Sequence, residues 1–599
     1  MSKVERILFL VLSLIVWVYL GMRAANVPLI HDEVVTYIAY IRDATFIPPW
    51  CYWDANNHLL NSATSATLTN IFGNSPFAIR MASWLSFLPL VYFIFRIGEL
   101  VSSPLKRWSL FIPLLTASYF IEFYGLTRGY GMAMSFLMGT LYFAHSYRKY
   151  SSKRNLYLTS IFGVLAALGS LSLIVVVGII YLWILMHWLL KSDKSFAKTI
   201  FNWIAVFIVP LLPLVFYVFE LKERGLLYYG GDDFIDITLK PFGEMFFTTR
   251  DYWWIWMVVF ILILSYYVYG IIKNGIQNYN KPNQIFAFVL FVSIAAIFLQ
   301  HFVLGVNYPA DRAALYLFPL LFLTLVFLPV KENKIWPILL FVSVLWFPIE
   351  TVLKANLKYS KFWIYEYVPK RFIRHVNKAS LNDYPPSING YFLRKYIWDY
   401  AQLRSYPYPS TINGTEHPDE WADFMLVDSN RIQKVNLSRF NLVDFDSISG
   451  QSLLAQKHPN IEKVTKDTIL NDVTVQNEFT NIFEFKGYDW VNKPMAMYFN
   501  MDVQASTEIM NCLIISSVFD TNGVEVYTNK YMFDQVNEDW TDVKGWKIKM
   551  YLPPFPENVG RFVTYIYNPQ KKLHYFPRID CKLAEIYEGS KDYSQIINP

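Results

Sequence analysis

The chain has 599 residues, 54% of them hydrophobic and only 17% charged, with a net charge of +6. Such a composition excludes a disordered chain, and the length allows two or three domains. The charges are unevenly spread. Residues 1–350 hold 43 of them and the remaining 249 hold 57, about 12% against about 23%, where a soluble protein carries about 25%. The front of the chain is therefore solvated by lipid and the back by water. Cys51, Cys512 and Cys581, the three cysteines, lie too far apart for a zinc ribbon or a CxxC redox site. The excess positive charge sits in short loops between apolar runs, so it is no nucleic-acid signature.

About eleven runs are long enough to cross some 30 Å of hydrocarbon. They fall at 6–25, 79–98, 108–125, 129–147, 156–170, 171–190, 199–220, 252–272, 283–304, 312–330 and 335–352. The first is too long for a signal peptide, and Arg23 stands where a small-residue cleavage site would be needed. With the N-terminus in the cytoplasm, every short inner loop is basic: Lys3/Arg6, Lys106/Arg107, Arg148/Lys149/Lys153/Arg154, Lys191/Lys194/Lys198, Lys273/Lys281 and Lys331/Lys334. The longer outer loops, 26–78 and 221–251, are acidic instead. That sign pattern requires 156–190 to be two short spans turning near Gly169 and Ser170. An odd number of spans then places residues 353–599 outside the inner (cytoplasmic) membrane.

A polytopic α-helical membrane domain over 1–352 is thus expected to precede a soluble part. Residues 353–475 mix helical and strand-like pieces, with turn signals at Pro385-Pro386, Asn413-Gly414 and Ser449-Gly450, and predict a small α/β subdomain. Residues 476–599 read as a β-sandwich. Apolar residues alternate in Met497, Phe499, Met501 and Val503, and again in Trp546, Ile548, Met550 and Leu552. Asp520-Thr521-Asn522-Gly523 predicts a hairpin between strands near 511–519 and 524–530. Cys512 and Cys581 fall on separate strands, as a disulfide or as two buried thiols.

Three polar stretches are not needed for topology. Loop 26–78 carries His31-Asp32-Glu33, and then Trp53-Asp54-Ala55-Asn56-Asn57-His58-Leu59-Leu60. A carboxylate held at an apolar boundary has a raised pKa, which suits a general base near neutral pH. Capping of the first loop helix is the structural alternative for Asp32 and Glu33. Leu126-Thr127-Arg128-Gly129-Tyr130 and Asn307-Tyr308-Pro309-Ala310-Asp311-Arg312 lie at the same outer face. An arginine at that depth commonly meets a phosphate or carboxylate. Pairing of Arg128 with Glu122, or of Arg312 with Asp311, is the simpler reading of each.

The Asp32-Glu33 start of the first outer loop, the Asn57-His58-Leu59-Leu60 stretch and Phe72-Gly73-Asn74-Ser75-Pro76-Phe77-Ala78-Ile79-Arg80 together resemble the polytopic GT-C glycosyltransferases. Within these, the chain is most similar to the protein O-mannosyltransferase-like group, which includes bacterial lipid A sugar transferases such as the aminoarabinose transferases. Arg128-Gly129-Tyr130 and Asp311-Arg312…Pro319 are similar to that group's Arg-x-Tyr and Arg…Pro segments. The resemblance spans roughly residues 5–330.

It implies a transferase that uses a sugar carried on polyprenyl phosphate and acts on a glycan, lipid or protein acceptor, without nucleic acid. Asp32 corresponds to the group's catalytic aspartate and Glu33 to its acidic neighbour. Arg128, Arg312 and Tyr308 correspond to donor-phosphate contacts, while Asp54, Asn57, His58 and Tyr130 would face substrate or acceptor. His58 matches the histidine of a first-loop His-Pro-Pro-Leu stretch, although Leu59 follows it here. Some relatives bind a divalent metal near this loop, for which His31, Asp54 and His58 are the candidates. The absence of a P-loop or a Gly-rich dinucleotide turn agrees with a lipid-linked donor. Rival readings are a transporter or lipid flippase using the same charges to move a substrate, and an oligosaccharide-transferring ligase.

Overall fold

The computed structural model describes all residues except 192–195, 228, 248, 275–280, 329–334, 380–383, 391, 404–410, 415–419, 487–491, 553, 556 and 589–599. Lys194, Lys331 and Lys334 of the basic loops lie outside the described residues. Two compact units are present: Met1–Val27 with Ala39–Lys358, and Pro28–Ile38 with Tyr359–Pro599.

All eleven apolar runs are helical over most of their described residues. In chain order the helices are α1 (Lys3–Asn26), the short α2 (His31–Thr36), α3 (Leu59–Phe72), α4 (Pro76–Gly98), α5 (Pro104–Thr116), α6 (Ser118–Glu122), α7 (Gly129–Tyr150), α8 (Lys153–Gly169) and α9 (Leu173–Lys191). Then come α10 (Phe196–Trp203), α11 (Leu212–Glu223), α12 (Lys240–Phe247), α13 (Trp253–Asn274), α14 (Ile285–Leu304), α15 (Leu317–Phe327), α16 (Ile335–Val344) and α17 (Trp346–Lys354). Their starts follow from the sequence. Ser2 accepts from Glu5 N–H while the Glu5 carboxylate takes Ser2 N–H at 2.9 Å, a reciprocal capping box. Ser75 and Ser103 cap α4 and α5, each followed by a proline at the first helical position, where no N–H is needed.

Among the described residues, six helices are long and apolar enough to cross a membrane: α1, α4, Phe196–Glu223, α13, Pro282–Leu304 and Ile335–Lys354. This is a multi-pass membrane protein. The other expected spans are shorter or more polar. Run 108–125 is split into α5 and α6 at the extended Ala117, and α15 has 11 residues. α7 is buried along most of its length and admits Ser135, Thr140 and His145, because a helix shielded by its neighbours need not be apolar all round. The stretch 156–190 forms two helices, α8 and α9, with an extended Ser170 between them.

Among the described residues, the second unit contains α2, α18 (Lys370–Lys378), α19 (Phe392–Gln402) and thirteen strands. Strands β1 (Ile388–Gly390), β2 (Ile412–Gly414), β3 (Phe424–Asp428), β4 (Phe440–Asp446) and β5 (Gln451–Gln456) form one sheet in the order β2-β1-β3-β5-β4. β1 is parallel to β2 and β3, with α19 lying between β1 and β2 in the chain. The expected turn at Asn413-Gly414 is therefore strand: a βαβ crossover needs a parallel partner for Ile388–Gly390, and Ile412–Gly414 supplies it. Phe372, Val376, Trp398, Phe424, Leu426 and Leu453 form its core.

The remaining strands are β6 (Ile461–Val475), β7 (Phe479–Phe485), β8 (Met495–Ala505), β9 (Leu513–Asp520), β10 (Glu525–Met532), β11 (Val543–Leu552), β12 (Val559–Tyr567) and β13 (His574–Tyr587). They make two four-stranded sheets, β10-β9-β12-β7 and β11-β8-β13-β6, whose inner faces share one apolar core. All eight alternating residues of β8 and β11 named from the sequence lie in it. The Asp520–Gly523 hairpin joins the antiparallel β9 and β10, with Gly523 at φ 80°. Lys549 of β11 bonds Asp423 at 2.9 Å and Glu462 at 2.7 Å, an ion triad that ties the sandwich to the α/β sheet. Cys512 and Cys581 are buried, unbridged thiols in the core, and burial pushes the Cys512 thiol up to about 12.

His574, at the start of β13, is 1% exposed, and burial, helped by Lys572, pushes its imidazole down to about 4. The folded state therefore favours the neutral ring. Its contribution to stability is complete above the unfolded value near 6.5 and is lost as pH falls from there towards 4. Thermal unfolding followed by near-ultraviolet circular dichroism should show a lower Tm at pH 4.5 than at pH 7. The drop should be smaller in His574→Gln; an equal drop in both proteins would remove His574 as its source.

Candidate active site

In the first unit, the polar residues gather around the N-terminus of α7. Gly129 opens that helix, and a Cβ there would lie 2.1 Å from the Gly169 carbonyl oxygen and 2.6 Å from His58 Cβ. Only glycine lets the end of α8 and the start of α3 approach so closely. His58 Nδ1 donates to that same Gly169 oxygen at 2.9 Å, which fixes the tautomer, and its ring meets Tyr130 edge-on at 4.6 Å. Gly129→Ala forces these backbones apart. Overpacking of this kind costs about 1–3 kcal/mol, so a lower melting temperature in detergent is expected; an unchanged one would refute the close approach.

Arg128 caps this helix with extended backbone and is 1% exposed. Its guanidinium donates to Asn56 Oδ1 and lies 5.8 Å from the Tyr130 ring centroid. Asn56 N–H in turn donates to Asp54 Oδ1 at 2.8 Å, a short side-chain turn that presents the amide oxygen to Arg128. The Asp54 carbonyl accepts from Tyr217 Oη at 3.0 Å. Asn57 Nδ2 donates to the Phe46 carbonyl at 2.9 Å and its Oδ1 accepts from Ser62 at 3.0 Å. Beneath them Asn61 bonds Thr127 and Ser83. Burial, followed by the Asp54 charge, holds the Tyr40 hydroxyl well above its ordinary range, so it stays a donor.

Glu122 pairs with Arg23 at 2.5 Å, both side chains being buried.

Arg312 and Tyr308 belong to a second cluster of the same unit. Tyr308 is 4% exposed, stacked on His301 at 4.0 Å and packed by Phe234 and Phe298. Its backbone N–H donates to Gly231 at 2.9 Å. Gly230, at φ 108°, passes so near that a Cβ would lie 2.2 Å from the Tyr308 oxygen. Burial raises the Asp311 carboxyl above its usual range, while Arg250 and then Arg312 draw it back down. Arg250 donates to Glu244 at 2.8 Å and borders a cleft of about 680 Å³ with Asp236, Lys240 and Trp253. Tyr119 connects the clusters, lying within electrostatic range of Asp311, Arg312 and Tyr130. Sequence reasoning missed Asn56, Tyr119 and Arg250 as site members, since nothing local marks them.

In the second unit, the Glu33 carboxylate is fully buried and accepts Ile30 N–H at 3.1 Å. This is the capping role. His31 N–H donates to Glu366 at 2.8 Å, and the His31 ring meets Tyr396. Asp32 is half-buried, its carbonyl accepting from Thr36. His31 thus belongs to one unit and Asp54 and His58 to the other. Among the described residues, no three His, Cys, Asp or Glu side chains are grouped so as to hold a metal ion.

No protein-family model matches the sequence, and no curated protein does. Among solved structures, it is similar to ArnT from Cupriavidus metallidurans bound to undecaprenyl phosphate, at 10% identity and TM-score 0.44, over 76% of this chain and 98% of that one. The apo state of the same protein gives 10% and 0.43, over 75% and 97%. Arabinosyltransferase EmbB from Mycobacterium smegmatis gives 9% and 0.32, over 96% of this chain and 64% of that one. At such TM-scores these likenesses carry no assignment of function, which rests on the side chains.

Proposed function

We propose that the chain is an integral-membrane glycosyltransferase. It moves a sugar from a polyprenyl-phosphate donor to a glycan, lipid or protein acceptor at the outer face of the cytoplasmic membrane, with inversion. The observation that supports this best is Arg128: a buried guanidinium at the head of α7 that donates to the Asn56 amide oxygen and lies beside the Tyr130 ring. A guanidinium at such a place offers a fork of donors to a phosphate.

In this reading Arg128 and Arg312 hold the donor phosphate and stabilise the charge it gains as the glycosidic bond breaks. Asp54, Asn57, His58 and Tyr130 shape the sugar and acceptor side. Asp32 removes the acceptor hydroxyl proton as the oxygen attacks the anomeric carbon. Of the adjacent carboxylates, Asp32 is assigned this role because Glu33 accepts the Ile30 N–H as a cap. One displacement inverts the configuration.

The test offers purified protein a polyprenyl-phosphate sugar and a crude envelope acceptor and measures released prenyl phosphate. Release that depends on both substrates is expected. Movement of the donor lipid across vesicles without release would instead establish a flippase. Tags after Lys153 and after Glu588 should report opposite sides of the membrane; the same side for both would end the outer-face model.

A further inference from the structure

The cleft beside Arg250 has no part in the chemistry assigned so far. It lies in the first unit around α12, between the turn that precedes this helix and the start of α13, and holds about 680 Å³. Small-molecule sites commonly measure about 300–1,000 Å³. Asp236, Ile237, Lys240, Arg250, Asp251 and Trp253 line it. Its two carboxylates and two cations leave the lining with no net charge, so it selects neither an anion nor a cation. Among these six, Ile237 alone is aliphatic, which is too little apolar wall for an acyl chain.

The polar side chains are held in place by one another. Lys240 pairs with Asp236 four residues earlier, Arg250 donates to Glu244 at 2.8 Å, and the Asp251 carboxylate accepts from the Thr249 hydroxyl at 2.6 Å. A glycine sets the indole. A Cβ on Gly243 of α12 would lie 3.2 Å from Trp253 Cα, so a larger residue there would crowd the start of α13. Tyr252 and Trp254, on either side, are 50% and 51% exposed, as rings of an interfacial belt are. Trp253 is half-buried and borders the cleft instead.

We propose that this cleft binds the acceptor, and that the acceptor is an uncharged glycan. An indole has an apolar face and a polar edge, and the C–H face of a sugar ring lies on such a surface. The carboxylates of Asp236 and Asp251 accept from sugar hydroxyls, while Lys240 and Arg250 donate to them. Exposed ion pairs are weak, so those in the cleft yield to hydroxyl groups at little cost. Arg250 lies within electrostatic range of Asp311, the neighbour of Arg312 in the chain. A glycan in the cleft is therefore close to a cation assigned to the donor phosphate. The proposal rests on the transferase reading and narrows its acceptor from a glycan, lipid or protein to the first of these.

The test splits the crude envelope acceptor into a delipidated glycan fraction, a lipid extract and a glycan-free protein fraction, and measures the prenyl phosphate that the purified full chain releases with each. The glycan fraction should support release. Trp253→Ala should raise the KM for that fraction several-fold with donor affinity unchanged. Trp253→Phe should recover most of the loss, and Trp254→Ala, in the belt, should cause none. If Trp253→Ala does not fold, Asp251→Asn, which keeps the shape of the lining, should raise the same KM. Retention of these proteins on the immobilised glycan fraction is measured in parallel and should fall in the cleft variants. Release with lipid or protein alone, or glycan KM and retention that the cleft variants leave unchanged, overturns the proposal and leaves the transferase reading standing. Absence of release with every fraction overturns the transferase reading instead, and retention then decides the glycan site by itself.

Discussion

Asp32→Asn is expected to reduce sugar transfer by ~10²–10⁴-fold, the usual contribution of a general base, while donor lipid still binds. The change is nearly isosteric and removes the carboxylate's charge together with its proton acceptance. Its backbone role survives, because Thr36 bonds the Asp32 carbonyl rather than its carboxylate. The loss corresponds to about 3–5 kcal/mol of transition-state stabilisation. Glu33→Ala supplies the contrast. Its carboxylate caps Ile30, so its removal should lower stability by about 1 kcal/mol and reduce activity only in step with unfolding. Released prenyl phosphate at saturating donor, measured beside a thermal melt, separates the two. Unimpaired turnover by Asp32→Asn would take Asp32 out of the chemistry.

What could be read from the sequence was local. The apolar runs and the Asp520–Gly523 hairpin depend on neighbouring residues, and the runs fold as helices and the hairpin forms where expected. Alternation in β8 and β11 marks a core face because a strand has period two. Long-range pairings were not legible. Arg23 and Glu122 stand 99 positions apart, so no spacing rule predicts that pair. Asn413-Gly414 has the composition of a turn, but a parallel partner made it strand. The fit of Gly129 against Gly169 needs two helix ends in contact. Pro28–Ile38 grouping with Tyr359 onward depends on contacts far apart in the chain. In the site, residue types rich in charge were visible, while the neutral Asn56 that steers Arg128 was not.

Asn56→Asp tests the phosphate role of Arg128 more sharply than removal of the arginine. Arg128→Met should weaken donor binding by ~10–100-fold, since a charge-assisted hydrogen bond is worth roughly 1.5–3 kcal/mol. Arg128→Lys should recover part of this, because the charge returns without the two-pronged geometry. Yet Arg128 is buried against Tyr130, so either change also disturbs packing, and weaker binding alone would be ambiguous. Asn56→Asp differs. It leaves Arg128 in place and converts its neutral acceptor into a carboxylate that competes with phosphate for the guanidinium. An ion pair gained there should hold or raise the melting temperature, while affinity for polyprenyl phosphate falls. Stability and donor binding then move in opposite directions, which a purely structural arginine cannot produce. Donor affinity unchanged in Asn56→Asp, with the protein folded, would show that Arg128 does not bind the phosphate and would leave Arg312 and Arg250 as the cations to examine.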